Sequence, residues 1–169
     1  MFQPDDLIVY GTTGVCRVED LERPGLVPTD KNRLYYRLKP LHQDGIIYTP
    51  VEGGKVAMRP VISRREAEAL IDCIPSIRAE PLQDGTTQSL AHRYQEKMHS
   101  SDCRDLLELM MSIYAKRRQV ESQKRRLGMV DERFMKQAER LLYGEFSVAL
   151  GIPYDAVQPY IAHRIESHA

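Results

Sequence analysis

The character of this chain changes near Pro81, from strand-like runs closed by one helix to continuous helical sequence, and that switch limits the fold more than any other feature. Before it, apolar residues alternate with polar ones in short runs separated by turns; after it, they recur at helical spacing almost to the end. Five runs read as strands, over residues 7–10, 15–21, 34–39, 46–50 and 56–62. The intervening Gly11-Thr12-Thr13-Gly14, Arg23-Pro24-Gly25, His42-Gln43-Asp44-Gly45 and Glu52-Gly53-Gly54-Lys55 read as turns. Five short strands with tight connections predict a small, strongly bent antiparallel sheet or barrel. Strands first and helices afterwards make the fold class α+β.

The strand-like part ends in Ser63-Arg64-Arg65-Glu66, a capping box in which the serine accepts from the third backbone N–H and the glutamate reaches back. Ala67, Leu70, Ile71 and Ile74 share one face, so this helix is expected to close the sheet domain, and Pro75 ends it. Pro81 and Asp84-Gly85 mark a linker or elbow. Domain boundaries are therefore expected at 1–74 for the β domain with its closing helix, 75–87 for the linker and 88–169 for a helical bundle. Within the bundle, Ser89 is expected to cap a helix to about Met98, Asp102 the next, and Asp131 a third. Gly128 and Gly151 are read as terminators.

Charge sums to zero, with 24 basic and 24 acidic side chains, but it is unevenly placed. Residues 116–140 hold nine basic groups against four acidic ones, while residues 1–77 are nearly balanced. Such a segment suits either phosphate contact or a solvated helix end. The three cysteines, Cys16, Cys73 and Cys103, are widely spaced and read as reduced thiols of a cytosolic protein. No apolar run is long enough to span a bilayer, so no membrane association is expected.

Catalytic patterns are missing. Gly11-Thr12-Thr13-Gly14 is too short for a phosphate loop, and Glu52-Gly53-Gly54-Lys55 lacks the upstream glycine and the following hydroxyl. The five histidines have no metal-ligand spacing, and no serine lies in a nucleophile elbow. The expectation is a non-enzyme with no cofactor, no metal and no small-molecule ligand.

The order Asp6-Leu7-Ile8-Val9-Tyr10, Gly14-Val15, Val18-Glu19, Tyr35-Tyr36-Arg37-Leu38-Lys39 and Thr49-Pro50 resembles the polymerase-interacting module of the CarD family of bacterial transcription regulators, shared with the transcription-repair coupling factor. Arg93-Tyr94, the Asp102 helix start and Ala138-Glu139-Arg140-Leu141-Leu142 extend the resemblance through about residue 150. It implies a Tudor-like first domain docking on the RNA polymerase β subunit and a helical domain touching promoter DNA at the upstream edge of the transcription bubble. It further implies modulation of open-complex stability and a cytoplasmic, nucleoid-associated location.

Carried onto this sequence, the resemblance places the polymerase-docking edge at Ile46, Ile47 and Tyr48, of which Ile46 and Tyr48 read equally as ordinary sheet residues. Tyr48 stands where the family often carries an arginine, with Arg23 and Arg37 as nearby candidates for that contact. Leu90 stands where many members have a tryptophan wedge, followed by His92 and Arg93 as the basic pair. Leu90 is open to two readings: a wedge presented to DNA, or a staple packed on its own domain. Lys124, Arg125, Arg126 and Arg133 are candidate phosphate contacts. The rival reading is a polymerase-binding adaptor without DNA contact, supported by the missing tryptophan and the neutral net charge.

Overall fold

The computed structural model describes residues 1–22 and 32–168. It divides into two compact units, Met1–Val61 and Ile62–Ala169.

The first unit is a five-stranded antiparallel sheet of β1 (Leu7–Tyr10), β2 (Gly14–Glu22), β3 (Tyr35–Pro40), β4 (Ile47–Pro50) and β5 (Met58–Pro60), in spatial order β4-β3-β2-β1-β5. The two-residue alternation does what the sequence predicts: Ile8, Cys16, Val18, Tyr36 and Leu38 all point to one face and form its core. A bulge between Val18 and Asp20 bends β2 against β3. Gly11 turns β1 into β2 at a φ of +46°, and a Cβ there would lie 2.6 Å from a methyl of Val56. Both facts demand glycine. The Tyr36 hydroxyl accepts from the Phe2 backbone N–H at 2.9 Å, so the start of the chain is tied to the sheet. Burial pushes the Cys16 thiol up to about 11, which keeps it protonated and inert.

The second unit contains α1 (Arg64–Cys73), α2 (Thr87–His99), α3 (Cys103–Ser122), α4 (Met129–Leu150) and α5 (Val157–Ser167). The capping box at Ser63 and Glu66 forms as the sequence predicts. The expected partner of α1 does not: Ala67 and Ile71 join the core of the helical unit rather than closing the sheet. Polar ties explain the preference. Arg64 donates to the Leu150 carbonyl at 3.1 Å, Arg164 of α5 holds Asp72 through two bonds of 2.8 and 3.0 Å, and Tyr160 donates to Glu68 at 3.2 Å. The buried Glu145 of α4 accepts from the Ile62 N–H at 3.0 Å and from the Cys103 thiol at 3.1 Å. Leaving that carboxylate without donors in the interior would be costly, so the start of α1 is fixed to α4.

Residues 77–85 are likewise no free linker. Ile77 and Leu82 pack on the helical core, the Glu80 carbonyl accepts from Ser112 at 2.6 Å and the Leu82 carbonyl from Lys116 at 3.2 Å. The segment is a strap laid along α3.

Three caps differ from expectation. Thr86, not Ser89, caps α2 and accepts from the Ser89 N–H at 3.0 Å. Helix α3 ends before Gly128: Lys124 takes the left-handed conformation at φ +59°, and the Arg125 N–H returns to the Val120 carbonyl at 2.8 Å. That is a Schellman closure with lysine in the position glycine usually holds. Gly128 then caps α4, and Asp131 lies three residues inside, accepting from the Gly128 N–H at 3.2 Å. Asp102 caps α3 and Gly151 closes α4 in the left-handed region, both as read from sequence.

Candidate docking edge and nucleic-acid interface

Among the described residues, strand β4 pairs with β3 alone and forms one edge of the sheet. The Val51 N–H donates to the Leu34 carbonyl at 3.0 Å, which fixes the phase of the ladder. Counting back by two, Thr49 and Ile47 turn their backbone groups toward β3, and Tyr48 turns its N–H and C=O toward the open edge. Pro50 offers only a carbonyl there. The side chains sort accordingly: Thr49 is buried, Ile47 packs on the sheet core, and Ile46 and Tyr48 are 45% and 38% exposed.

Arg37 lies directly across from Tyr48. Its guanidinium is 3.2 Å from Glu19 and 3.7 Å from Glu22, so its charge is largely answered within the sheet. What the edge offers is therefore a short length of main chain flanked by Ile46 and the Tyr48 ring, whose hydroxyl faces the ion-paired Arg37. Arg23 lies outside the described residues.

The helical unit divides the sequence-predicted DNA residues into two groups. At the start of α2, Leu90 is only 7% exposed and stacks with Tyr94 and Met98 in the core. The spacing of four among these residues is the signal of an inward stripe, so Leu90 is a packing residue and not a presented wedge. His92 sits 3.0 Å from Glu96 one turn on. Arg93 donates to the Gln83 carbonyl at 3.2 Å and lies 3.9 Å from Asp84. The basic pair beside Leu90 is thus engaged with its own unit.

The second group behaves oppositely. Lys124, Arg125, Arg126 and Arg133 are all exposed, and among the described residues no ion pair holds any of them. Arg125 donates to the neighbouring Gln123 side chain at 2.6 Å, and the Arg133 guanidinium lies 4.9 Å from the ring centre of Phe134. The exposed acidic groups nearest in sequence are Glu121 and Glu132, and the buried Asp131 lies between the loop and Arg133.

This basic loop rests on a buried polar node that sequence reading missed. Asp131, 3% exposed, accepts from the Tyr94 hydroxyl at 2.6 Å and from the Lys116 ammonium at 2.9 Å, besides the Gly128 N–H. Burial, with the Asp131 carboxylate adding to it, drives the Tyr94 hydroxyl far above its ordinary pKa, so it stays a donor. Lys116 also binds the strap carbonyl of Leu82. One carboxylate therefore joins α2, α3 and the start of α4. Nothing in the one-dimensional spacing of Tyr94, Lys116 and Asp131 announces this.

The open sheet edge of the first unit and the exposed basic residues of the second are the candidate contact surfaces. Residues 2–62 match the family model of the CarD-like/TRCF RID domain. The match coincides with the sheet unit, so the chain carries a CarD-like RNA polymerase-interacting domain, and with it a transcription-related role. No curated protein matches the chain. Among the described residues, no helix is long and apolar enough to cross a membrane.

Proposed function

We propose that this protein is a non-enzymatic transcription regulator that docks on the RNA polymerase β subunit and holds promoter DNA near the opened bubble, altering open-complex stability. The observation that carries the first half is the RID match over a sheet whose β4 edge is open. An extended strand of the partner adds beside β4, bonding to the Tyr48 main chain while Ile46 and Tyr48 pack against it. Pro50 limits that register to a short pairing. The second half rests on the unpaired cations Lys124, Arg125, Arg126 and Arg133, which suit phosphate contacts that position without reading sequence. A protein that binds polymerase and opened promoter together favours the opened state by its differential affinity for it. Such an effect raises output where opening is slow and lowers it where escape is slow.

The adaptor reading keeps one specific support: Leu90 is buried and His92 and Arg93 are engaged, so the α2 end offers DNA little. Open-complex lifetime with a bacterial polymerase separates the two. A lifetime that changes with the protein, and reverts when Lys124, Arg125 and Arg126 are replaced by glutamine, supports the regulator. Polymerase binding that disappears with Tyr48→Pro, together with a lifetime unaffected by the wild type, supports the adaptor.

A further inference from the structure

Met129 opens α4 with 88% of its surface exposed, the one large apolar side chain of the helical unit left in solvent among the described residues. Its neighbours in the chain are Lys124, Arg125 and Arg126 before it and, about one helical turn after it on the same face, Arg133 beside the exposed Glu132. The adjoining apolar residues, Leu127 and Val130, pack into the core and leave Met129 standing alone. The Asp131 node and the Schellman closure at Lys124 fix the loop at both ends, so Met129 is held out by built structure.

We propose that Met129 is an apolar wedge that enters a base step of duplex DNA while the surrounding cations grip the flanking phosphates. The inference rests on the DNA half of the proposed function and names the residue that distorts the duplex. Methionine is among the side chains that unstack a base step from the minor groove, and the cost of unstacking is offset by contacts to the bent backbone. The cations near it in the chain, which outnumber the exposed Glu121 and Glu132, select a polyanion. A lipid surface would require an apolar helix face, and here there is one residue. A single strand would call for exposed stacking rings beside the cations, and the loop has none.

The test uses the full chain and a duplex carrying 2-aminopurine beside a flexible TA step. Wild type is expected to bind with a rise in 2-aminopurine fluorescence. Met129→Ala is expected to lose that rise and to bind roughly three- to tenfold more weakly, the scale of one apolar contact. Its salt dependence stays unchanged because no cation is removed. Met129→Leu is expected to restore both signals. Replacing Lys124, Arg125 and Arg126 by glutamine is expected to abolish binding at moderate salt. If Met129→Ala matches wild type in fluorescence and affinity while the charge variant fails, the wedge is overturned and the phosphate contacts stand. If wild type binds no duplex, the wedge and the DNA reading fall together. Binding to phosphatidylserine-containing vesicles in place of duplex would overturn the wedge in favour of a lipid surface.

Discussion

Two places in the helical unit share a composition: the start of α2, with Leu90, His92 and Arg93, and the start of α4, with Arg125, Arg126, Met129 and Arg133. At the first, the apolar side chain is buried and both basic groups face partners of the same unit. At the second, the apolar side chain is exposed and the cations have no carboxylate partner among the described residues. The difference teaches that an apolar residue beside a basic pair marks an interaction surface only when its helix phase faces away from the core. Leu90 falls in the Leu90-Tyr94-Met98 stripe, whereas Met129 precedes the inward positions Phe134, Ala138 and Leu141 by a phase that turns it outward.

The sharpest way to break this comparison is to remove what holds the second region in place. Asp131→Ala leaves the partly buried Lys116 ammonium and the Tyr94 hydroxyl without their acceptor. Urea denaturation should show a loss of about 3–5 kcal/mol. Next in size, Leu90→Ala removes a core side chain and is expected to cost about 2–4 kcal/mol. Its duplex affinity, measured well below the unfolding midpoint, should match wild type. A selective loss of DNA binding with stability retained would restore Leu90 as a surface residue.

Lys124→Gly should move stability the other way. The left-handed conformation that lysine holds against its preference suits glycine, so the helical unit gains about 1 kcal/mol by denaturation. At the same time one phosphate contact goes, and the slope of log affinity against log salt should fall by about one.

The smallest effect concerns acid. Hydrogen bonds from Arg164 hold the Asp72 carboxyl below the usual carboxylate range, and a bond from Arg64, then Tyr160 and Arg164, does the same for Glu68. The unfolded chain therefore binds protons more readily than the folded one. The stabilisation is fully present above the unfolded value, near pH 4, and is lost as pH falls through the lower folded values. Arg164→Met should flatten the fall in stability below about pH 4, followed by far-UV circular dichroism. An unchanged acid limb would show that these carboxyls do not govern it.

Much of the architecture was legible because it depends on neighbours in the chain. Alternation marked the runs that became strands, whose Ile8, Cys16, Val18, Tyr36 and Leu38 the structure places on one face, and the caps at Ser63 and Asp102 are contacts over three residues. The order of residues in the first unit was enough to suggest the polymerase-interacting module that the family match shows. What sequence left open has a common physical cause. Hydrophobic burial is non-directional, so the apolar face of α1 fits a sheet as well as a bundle. Only the ties of Arg64 to Leu150, Asp72 to Arg164 and Ile62 to Glu145, each spanning more than eighty residues, assign it to the helices. Charge is equally blind to distance along the chain. Arg37 answered by Glu19, Arg93 by Asp84, and the basic loop left unanswered are outcomes of which side chains the tertiary structure brings within a few ångströms. The sequence by itself determined the strands, the helices and the family of the first unit; the tertiary structure decided which apolar and charged groups remain available to a partner, because availability is what is left after long-range contacts have been made.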